Sequence, residues 1–448
     1  MTSTSKRLLV NCRLVNEGEI KEADVLIEGD RIARIGSGLS GSLAGEVVDL
    51  EGRYLLPGLI DDQVHFREPG LTHKGSFPTE SQAAICGGVT SVLEMPNTSP
   101  PTIDRVALLT KWAAAQGRSF ANYAFYLGAT NDNLEEIKRV APGEACGVKI
   151  FMGASTGNML VDDPKALEGI FAESPLPIAT HCEDSPTIWA NEAVFRERFG
   201  ENVPMEAHPE IRSAEACYKS SSLAVDLAKR FGARLHVLHL STARELELFE
   251  PGPIEEKLIT AEACVHHLWF DQLRYADLGS HIKCNPAIKT PADREGLVQG
   301  VRDDVIDVIA TDHAPHTREE KAQSYFKAPA GLPLVQHSLQ ILLEMHLAGQ
   351  LSLSAITRKG AHNPAVLFGV VDRGFIREGY FADLVAVDLN VSQQVTPDSL
   401  LYKCGWSPFE GERFSSSIYL TILNGDIVFH DGVVKDEPLG RRLDFAEK

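Results

Sequence analysis

Eight strand-like runs, each followed by enough chain for a helix or a substantial loop, constrain this sequence more than any other feature. They lie at residues 59–65, 89–95, 121–128, 147–151, 177–181, 235–240, 258–264 and 305–311. Strand and helix alternating at this length imply a parallel sheet, and eight such units imply a closed (β/α)8 barrel, the TIM-like form of the α/β class. At 448 residues the chain can hold such a barrel and a satellite domain as well.

The flanks read differently. Residues 8–15, 23–28, 31–36 and 46–50 are short strands separated by Glu-Gly, Gly-Asp and Ser/Gly clusters, with no helix-period segment among them. A similar pattern returns at 382–388, 417–423 and 426–430, with turns at Asn424-Gly425 and Asp431-Gly432. Neither half can close a core alone. The expectation is one small β-sandwich domain built from both termini, residues 1–56 plus 370–448, with the barrel at 57–369 inserted between them. The stretch 338–347 has the apolar spacing of an outer barrel helix.

Composition removes several function classes. A formal net charge of −19 disfavours non-specific binding to nucleic acid or to an anionic membrane. No run approaches the roughly 20 apolar residues of a membrane helix, and the first residues lack a signal-peptide apolar stretch. The eight cysteines (12, 86, 146, 182, 217, 264, 284 and 404) form no CxxC pair, which suggests reduced thiols and a cytoplasmic location.

The chemistry is expected where the strands end. The first run ends in His65, the fourth holds Lys149, the fifth ends in His181, the sixth holds His239, and Asp312 follows the eighth. All strand C-termini of a barrel open on one face, so these residues converge although they are far apart in sequence. Imidazoles and a carboxylate on a rigid ring suit Zn²⁺ or a similar divalent ion. Residues i and i+2 of a strand share a face, so His65 would pair with residue 63, which is Gln63, a poor zinc ligand beside imidazole. Lys149 admits two readings: a buried lysine paired with Asp312 in a metal-free site, or an amine carboxylated by CO₂ to an anionic ligand that bridges two metals roughly 3.5–4 Å apart.

The segment Asp62-Gln63-Val64-His65-Phe66-Arg67-Glu68-Pro69-Gly70 resembles the dihydroorotase signature of the amidohydrolase superfamily, with Gln63 at its first histidine. Further matching stretches are Met95-Pro96-Asn97-Thr98, Cys264-Val265-His266-His267-Leu268, Asn285-Pro286, Thr311-Asp312-His313-Ala314-Pro315-His316 and Asn363-Pro364-Ala365. The resemblance spans essentially the whole chain, and the first and fifth of these six segments together are specific. It implies one or two zinc ions held by His65, Lys149 as a carbamate, His181, His239 and Asp312. It implies that Asp312 takes a proton from the attacking water and delivers it to the leaving nitrogen. It implies that Arg67, Asn97, Asn285 and His316 bind the carboxylate and ring of dihydroorotate, which is interconverted with carbamoyl-aspartate in pyrimidine biosynthesis.

Physical chemistry supports those roles independently. Arginine offers a planar, permanently charged fork for a carboxylate, and asparagine adds a neutral donor. Hydrolysis of a cyclic amide needs a strong nucleophile at neutral pH and a base within reach of it. Allantoinase and dihydropyrimidinase share the implied fold and metal site, but their substrates give Arg67 no carboxylate to hold. A second class of reading also stands: a catalytically impaired homologue that serves as the scaffold partner of a transcarbamoylase, motivated by Gln63. The active reading implies a homo-oligomer with one metal retained by Lys149, His181 and His239, and a weaker one at His65 and Asp312.

Overall fold

The central strand of one mixed sheet joins the two ends of the chain. In the computed structural model, which describes residues 5–40, 45–141, 143–153 and 159–446, Tyr54–Pro57 pairs parallel with Lys6–Asn16 on one side and antiparallel with Leu384–Asp388 on the other. From there the sheet runs outward through Glu19–Glu28 and Arg31–Gly36 in one direction. In the other it runs through Ser417–Leu423, Asp426–His430 and Val433–Val434, and Glu46–Asp49 lies beside Lys6–Asn16. Its own core is Leu9, Val25, Ile27, Leu55, Leu384, Ala386, Leu420 and Ile422. Half of those side chains come from each terminal part and share one continuous sheet, which is why neither half closes alone.

All eight barrel strands are present. They are Leu59–Val64, Val89–Glu94, Asn122–Phe125 continued by Leu127–Gly128, Val148–Phe151, Ile178–His181, Leu235–Val237, Ile259–Cys264 and Val308–Ala310. Neighbours pair parallel all round. The third strand is interrupted at Tyr126, so its first half bonds to the second strand and its second half to the fourth. Closure between the eighth strand's end and the first runs through a parallel bridge from Val64 to His313, with the His65 N–H on the His313 carbonyl at 2.7 Å.

Strands of a parallel barrel are covered on both faces and read as near-continuous apolar runs. The first strand breaks that rule: Asp61, Asp62 and Gln63 are all buried within it. Buried polar groups must be hydrogen-bonded or otherwise compensated. Asp61 is satisfied locally by the Thr311 hydroxyl at 2.6 Å and the Thr311 N–H at 3.2 Å. Asp62 and Gln63 are not explained by packing, and they bear on the chemistry described below.

The outer helix at 338–347 forms as Ser338–Leu347 and buries Leu339, Ile341, Leu342, Leu343 and Met345. Beyond the strand Leu384–Asp388 the chain leaves the sheet and packs on the barrel instead. Phe409 stacks on Phe270 with centroids 5.3 Å apart, and Trp406 Nε1 donates to the His316 carbonyl at 2.7 Å. A C-terminal residue, Arg441, accepts on its carbonyl from the Tyr123 N–H of the third strand. Among the described residues no helix is long and apolar enough to cross a membrane.

Candidate active site

A cavity of about 270 Å³ opens at the C-terminal ends of the barrel strands. It is lined by all ten residues singled out from the sequence: Gln63, His65, Arg67, Asn97, Lys149, His181, His239, Asn285, Asp312 and His316. The barrel therefore brings together groups separated by up to 253 positions in the chain. Three of them, Arg67, His239 and Asp312, hold positive φ angles of 70°, 40° and 48°. L-residues rarely adopt this left-handed region, and such strain persists where the surrounding structure over-determines it, typically at functional sites.

The imidazoles are preset as neutral ligands. His181 Nε2 bonds to Glu183 Oε2 at 2.9 Å, and its Nδ1 shares a hydrogen bond with His239 Nε2 at 3.0 Å. His65 Nδ1 bonds to Asn97 Oδ1 at 2.8 Å, which leaves Nε2 3.0 Å from Asp312 Oδ1. Burial holds all three rings below the usual histidine range, so their lone pairs are available at neutral pH. A hydrogen bond from the far ring nitrogen fixes tautomer and orientation in metal-binding histidines. Two converging donor pairs, one of nitrogens and one of nitrogen and carboxylate oxygen, fit a divalent metal ion.

Lys149 is buried in the same wall. Burial lowers its amine to about 8, with Asp312 and Glu262 opposing that shift. Burial pushes the Asp312 carboxyl up to about 7, against the pull of Lys149, His181 and Arg67. Gln63 does not turn its oxygen toward the histidines. Its Nε2 donates to Asp312 Oδ1 at 3.2 Å, and its Oε1 faces the Cys264 thiol at 3.7 Å.

The other end of the cavity is cationic. Arg67 Nε donates to the Pro315 carbonyl at 3.0 Å and Nη2 lies 3.1 Å from His316 Nε2. His316 is kept neutral by burial and by its cationic neighbours. Its Nδ1 accepts from Lys74 Nζ at 3.1 Å and its Nε2 donates to the Ala330 carbonyl at 3.0 Å. Asn285 Oδ1 is buried, lines the cavity and has no hydrogen-bond partner among the described residues.

Sequence reasoning missed three contributors, Lys74, Glu183 and Arg212, and one further contact of Asn97. Lys74 adds a second cation beside Arg67, in a loop without a strand-end signal. Asn97, expected at the substrate, has its oxygen on His65. Glu183 and Arg212 form the support for His181: Arg212 Nη1 lies 2.6 Å from the fully buried Glu183 Oε2. Burial alone would raise the Glu183 carboxyl, but Arg212 and His181 outweigh it and hold the group at about 2. The signal for Glu183 was its i+2 position after His181; nothing local marks Arg212. Arg212→Met is expected to cost about 3–5 kcal/mol, because it strands a buried charge, and urea unfolding of the two proteins measures it.

The remaining histidines have other duties. His313 donates from Nε2 to Glu80 at 2.8 Å and accepts the Leu334 N–H on Nδ1 at 2.9 Å, tying the eighth-strand loop to the first helix, Phe77–Cys86. His267 Nε2 bonds to the Pro286 carbonyl at 3.0 Å, and His208 bridges the Cys284 carbonyl and the Tyr325 hydroxyl.

Comparison with known proteins agrees with this geometry. The Amidohydrolase family matches residues 54–428. The dihydroorotase of Halobacterium salinarum is 34% identical over 395 residues, covering 87% of this chain and 89% of that protein. The dihydroorotase of Methanothermobacter thermautotrophicus is 32% identical over 434 residues, covering 95% and 94%. Among solved structures, the L-hydantoinase (dihydropyrimidinase) of Arthrobacter aurescens superposes with a TM-score of 0.92 at 28% identity, covering 98% of this chain and all of that one.

Proposed function

The chain belongs to the amidohydrolase family, and from that premise we infer that it is a dihydroorotase, hydrolysing the cyclic amide of dihydroorotate to carbamoyl-aspartate and closing it in reverse. The observation that carries this reading is the composition of one cavity. A cluster of neutral histidines and a carboxylate forms one end, and Arg67 with Lys74 forms the other. A ring bearing both an amide and a carboxylate matches the two ends together. Hydantoin and dihydropyrimidine rings without a carboxylate leave the Arg67 fork with nothing to hold. The dihydroorotase relatives align over nearly the whole chain.

The residues divide the work as follows. Arg67, supported by Lys74, binds the substrate carboxylate through charge-assisted hydrogen bonds. Asn285 offers a buried acceptor for a ring N–H. Asp312 stands beside His65 and Gln63, where it takes a proton from the attacking water and returns it to the ring nitrogen that leaves. The Gln63 amide, donating to Asp312, keeps the carboxylate oriented for both transfers. His65, His181, His239, Asp312 and Lys149 would hold zinc, which would supply the Lewis acidity that activates water and polarises the carbonyl.

Lys149 is read as carboxylated. An amine lowered to about 8 is partly neutral at physiological pH and so can attack CO₂, and the resulting anion would relieve the repulsion between an ammonium and a dication. Intact-mass measurement under native conditions should show one CO₂ adduct that Lys149→Ala lacks; full activity without the adduct would overturn the assignment. The protein is further read as a cytoplasmic homo-oligomer, able to associate with a transcarbamoylase. The eight cysteines, all buried and unpaired, support a reducing compartment.

The substrate assignment is tested by a panel. Dihydroorotate should be turned over far faster than dihydrouracil, hydantoin or allantoin; the reverse pattern would overturn the reading. Gln63→His is expected to retain one more zinc per chain after dialysis than the parent, since an imidazole nitrogen would replace an amide that now faces Asp312. Metal counting on both proteins decides it, and equal counts would show that position 63 does not limit the second metal.

A further inference from the structure

One layer beneath the cavity, the barrel interior holds a second constellation that the reaction does not use. Asp62 on the first strand, His236 on the sixth and Glu262 on the seventh are all fully buried. Their ligand-type atoms lie within 4.8 Å of one another. His236 Nε2 is 3.1 Å from Asp62 Oδ2 and 3.6 Å from Glu262 Oε2. Yet among the described residues both Asp62 oxygens, Glu262 Oε2 and His236 Nε2 lack a hydrogen-bond partner. Three ligand-type atoms, one from each residue, thus converge at zero exposure, and those four polar atoms of the cluster lack a hydrogen bond.

The far sides of His236 and Glu262 are fixed. The Thr260 hydroxyl donates to the Leu235 carbonyl at 3.2 Å, so it accepts from His236 Nδ1 at 2.8 Å and places the ring proton there. His236 Nε2 therefore faces two carboxylates; burial alone would lower the ring, but they outweigh it and hold the ring up at about 9. Glu262 Oε1 is occupied by the His239 N–H at 2.9 Å, which turns Oε2 toward His236. Two buried carboxylates repel one another unless positive charge lies between them.

A proton on Nε2 would supply that charge but would bond well to one oxygen only. A divalent cation would neutralise both carboxylates and satisfy every orphaned atom together. The spacing also suits it: four-coordinate ligands at zinc-like distances are separated by roughly 3.4 Å, between the two separations seen. Histidine held through its other nitrogen by an oxygen is the usual arrangement of a metal ligand. We propose that Asp62, His236 and Glu262 form a buried structural site for a divalent transition ion of the zinc or manganese class, separate from the metal centre at the cavity. Phe368 packs edge-on to His236 at 6.0 Å and to Tyr126 at 5.9 Å, closing the site from below. An ion there is taken up as the barrel folds and exchanges only when it opens.

The test uses zinc alone and the full chain. Protein loaded with Zn²⁺ and dialysed against a chelator at neutral pH should keep one zinc per chain after the cavity metals are gone, and should release it on unfolding in guanidinium. Asp62→Asn and His236→Gln should each lower that retained count from one to zero. Because either variant could fail to fold, a zinc-edge anomalous difference map of the unmodified protein is the second measurement: a peak between Asp62, His236 and Glu262 is expected. No chelator-resistant zinc and no anomalous peak there would overturn the proposal and leave His236 as an imidazolium between two carboxylates.

Discussion

Asp312→Asn should lower kcat for dihydroorotate hydrolysis by about 10³–10⁴-fold, the upper part of the range for loss of a positioned acid–base group, while KM changes little. The substitution keeps size and shape, and the asparagine oxygen can still accept from Gln63 Nε2, now 3.2 Å from Asp312 Oδ1. It cannot accept the proton of the attacking water or return it to the leaving nitrogen. The His181–His239 pair does not involve Asp312 directly, so metal at that pair should persist in the variant. Steady-state kinetics and a metal count on the same sample check both halves. Retained kcat would show that the proton passes through another group, and a loss confined to metal content would reduce Asp312 to a ligand.

Arg67→Met should act at the other end of the ring and on a different constant. Truncating one partner of a buried charge-assisted pair costs about 2–5 kcal/mol, which corresponds to roughly 30- to 5,000-fold in kcat/KM. Arg67 is 7% exposed and burial lowers its guanidinium to about 10, still charged at neutral pH. Most of the loss should appear in KM if the carboxylate is held equally in the ground and transition states. Lys74 softens the loss, since its ammonium lies 3.1 Å from His316 Nδ1 on the same side of the cavity. The comparison that isolates the carboxylate is the same variant on dihydrouracil: discrimination against that ring should shrink by a similar factor. Unchanged discrimination would mean that Arg67 holds the loop through the Pro315 carbonyl and nothing more.

Much of this site could be read from the chain because barrel geometry turns strand ends into neighbours. His65, Lys149, His181, His239 and Asp312 were legible as one cluster for that reason, and the cavity lining joins all five. The supporting groups were not. Arg212 reaches Glu183 from a loop 29 positions on, and a salt bridge of that span leaves no periodic trace. Asn97 was expected to offer the substrate an amide donor; what the sequence did not show is that its oxygen orients His65. Gln63 was read as a weakened ligand, and only the side-chain arrangement shows its nitrogen on Asp312. The fold behaved similarly. Alternating apolar runs announced the strands, but nothing in them announced that Trp406 and Phe409 would leave the terminal sheet to pack on the barrel.

By itself, then, the sequence determined the barrel, the small domain drawn from both termini and the strand-end cluster, since each follows from local periodicity and one topological rule. Only the tertiary structure decided what each polar group faces. Hydrogen-bond direction, tautomer and unpaired buried atoms depend on contacts between strands far apart in the chain. That is why Asp62, one of two adjacent acids in the first barrel strand, meant nothing until His236 and Glu262 were found beside it.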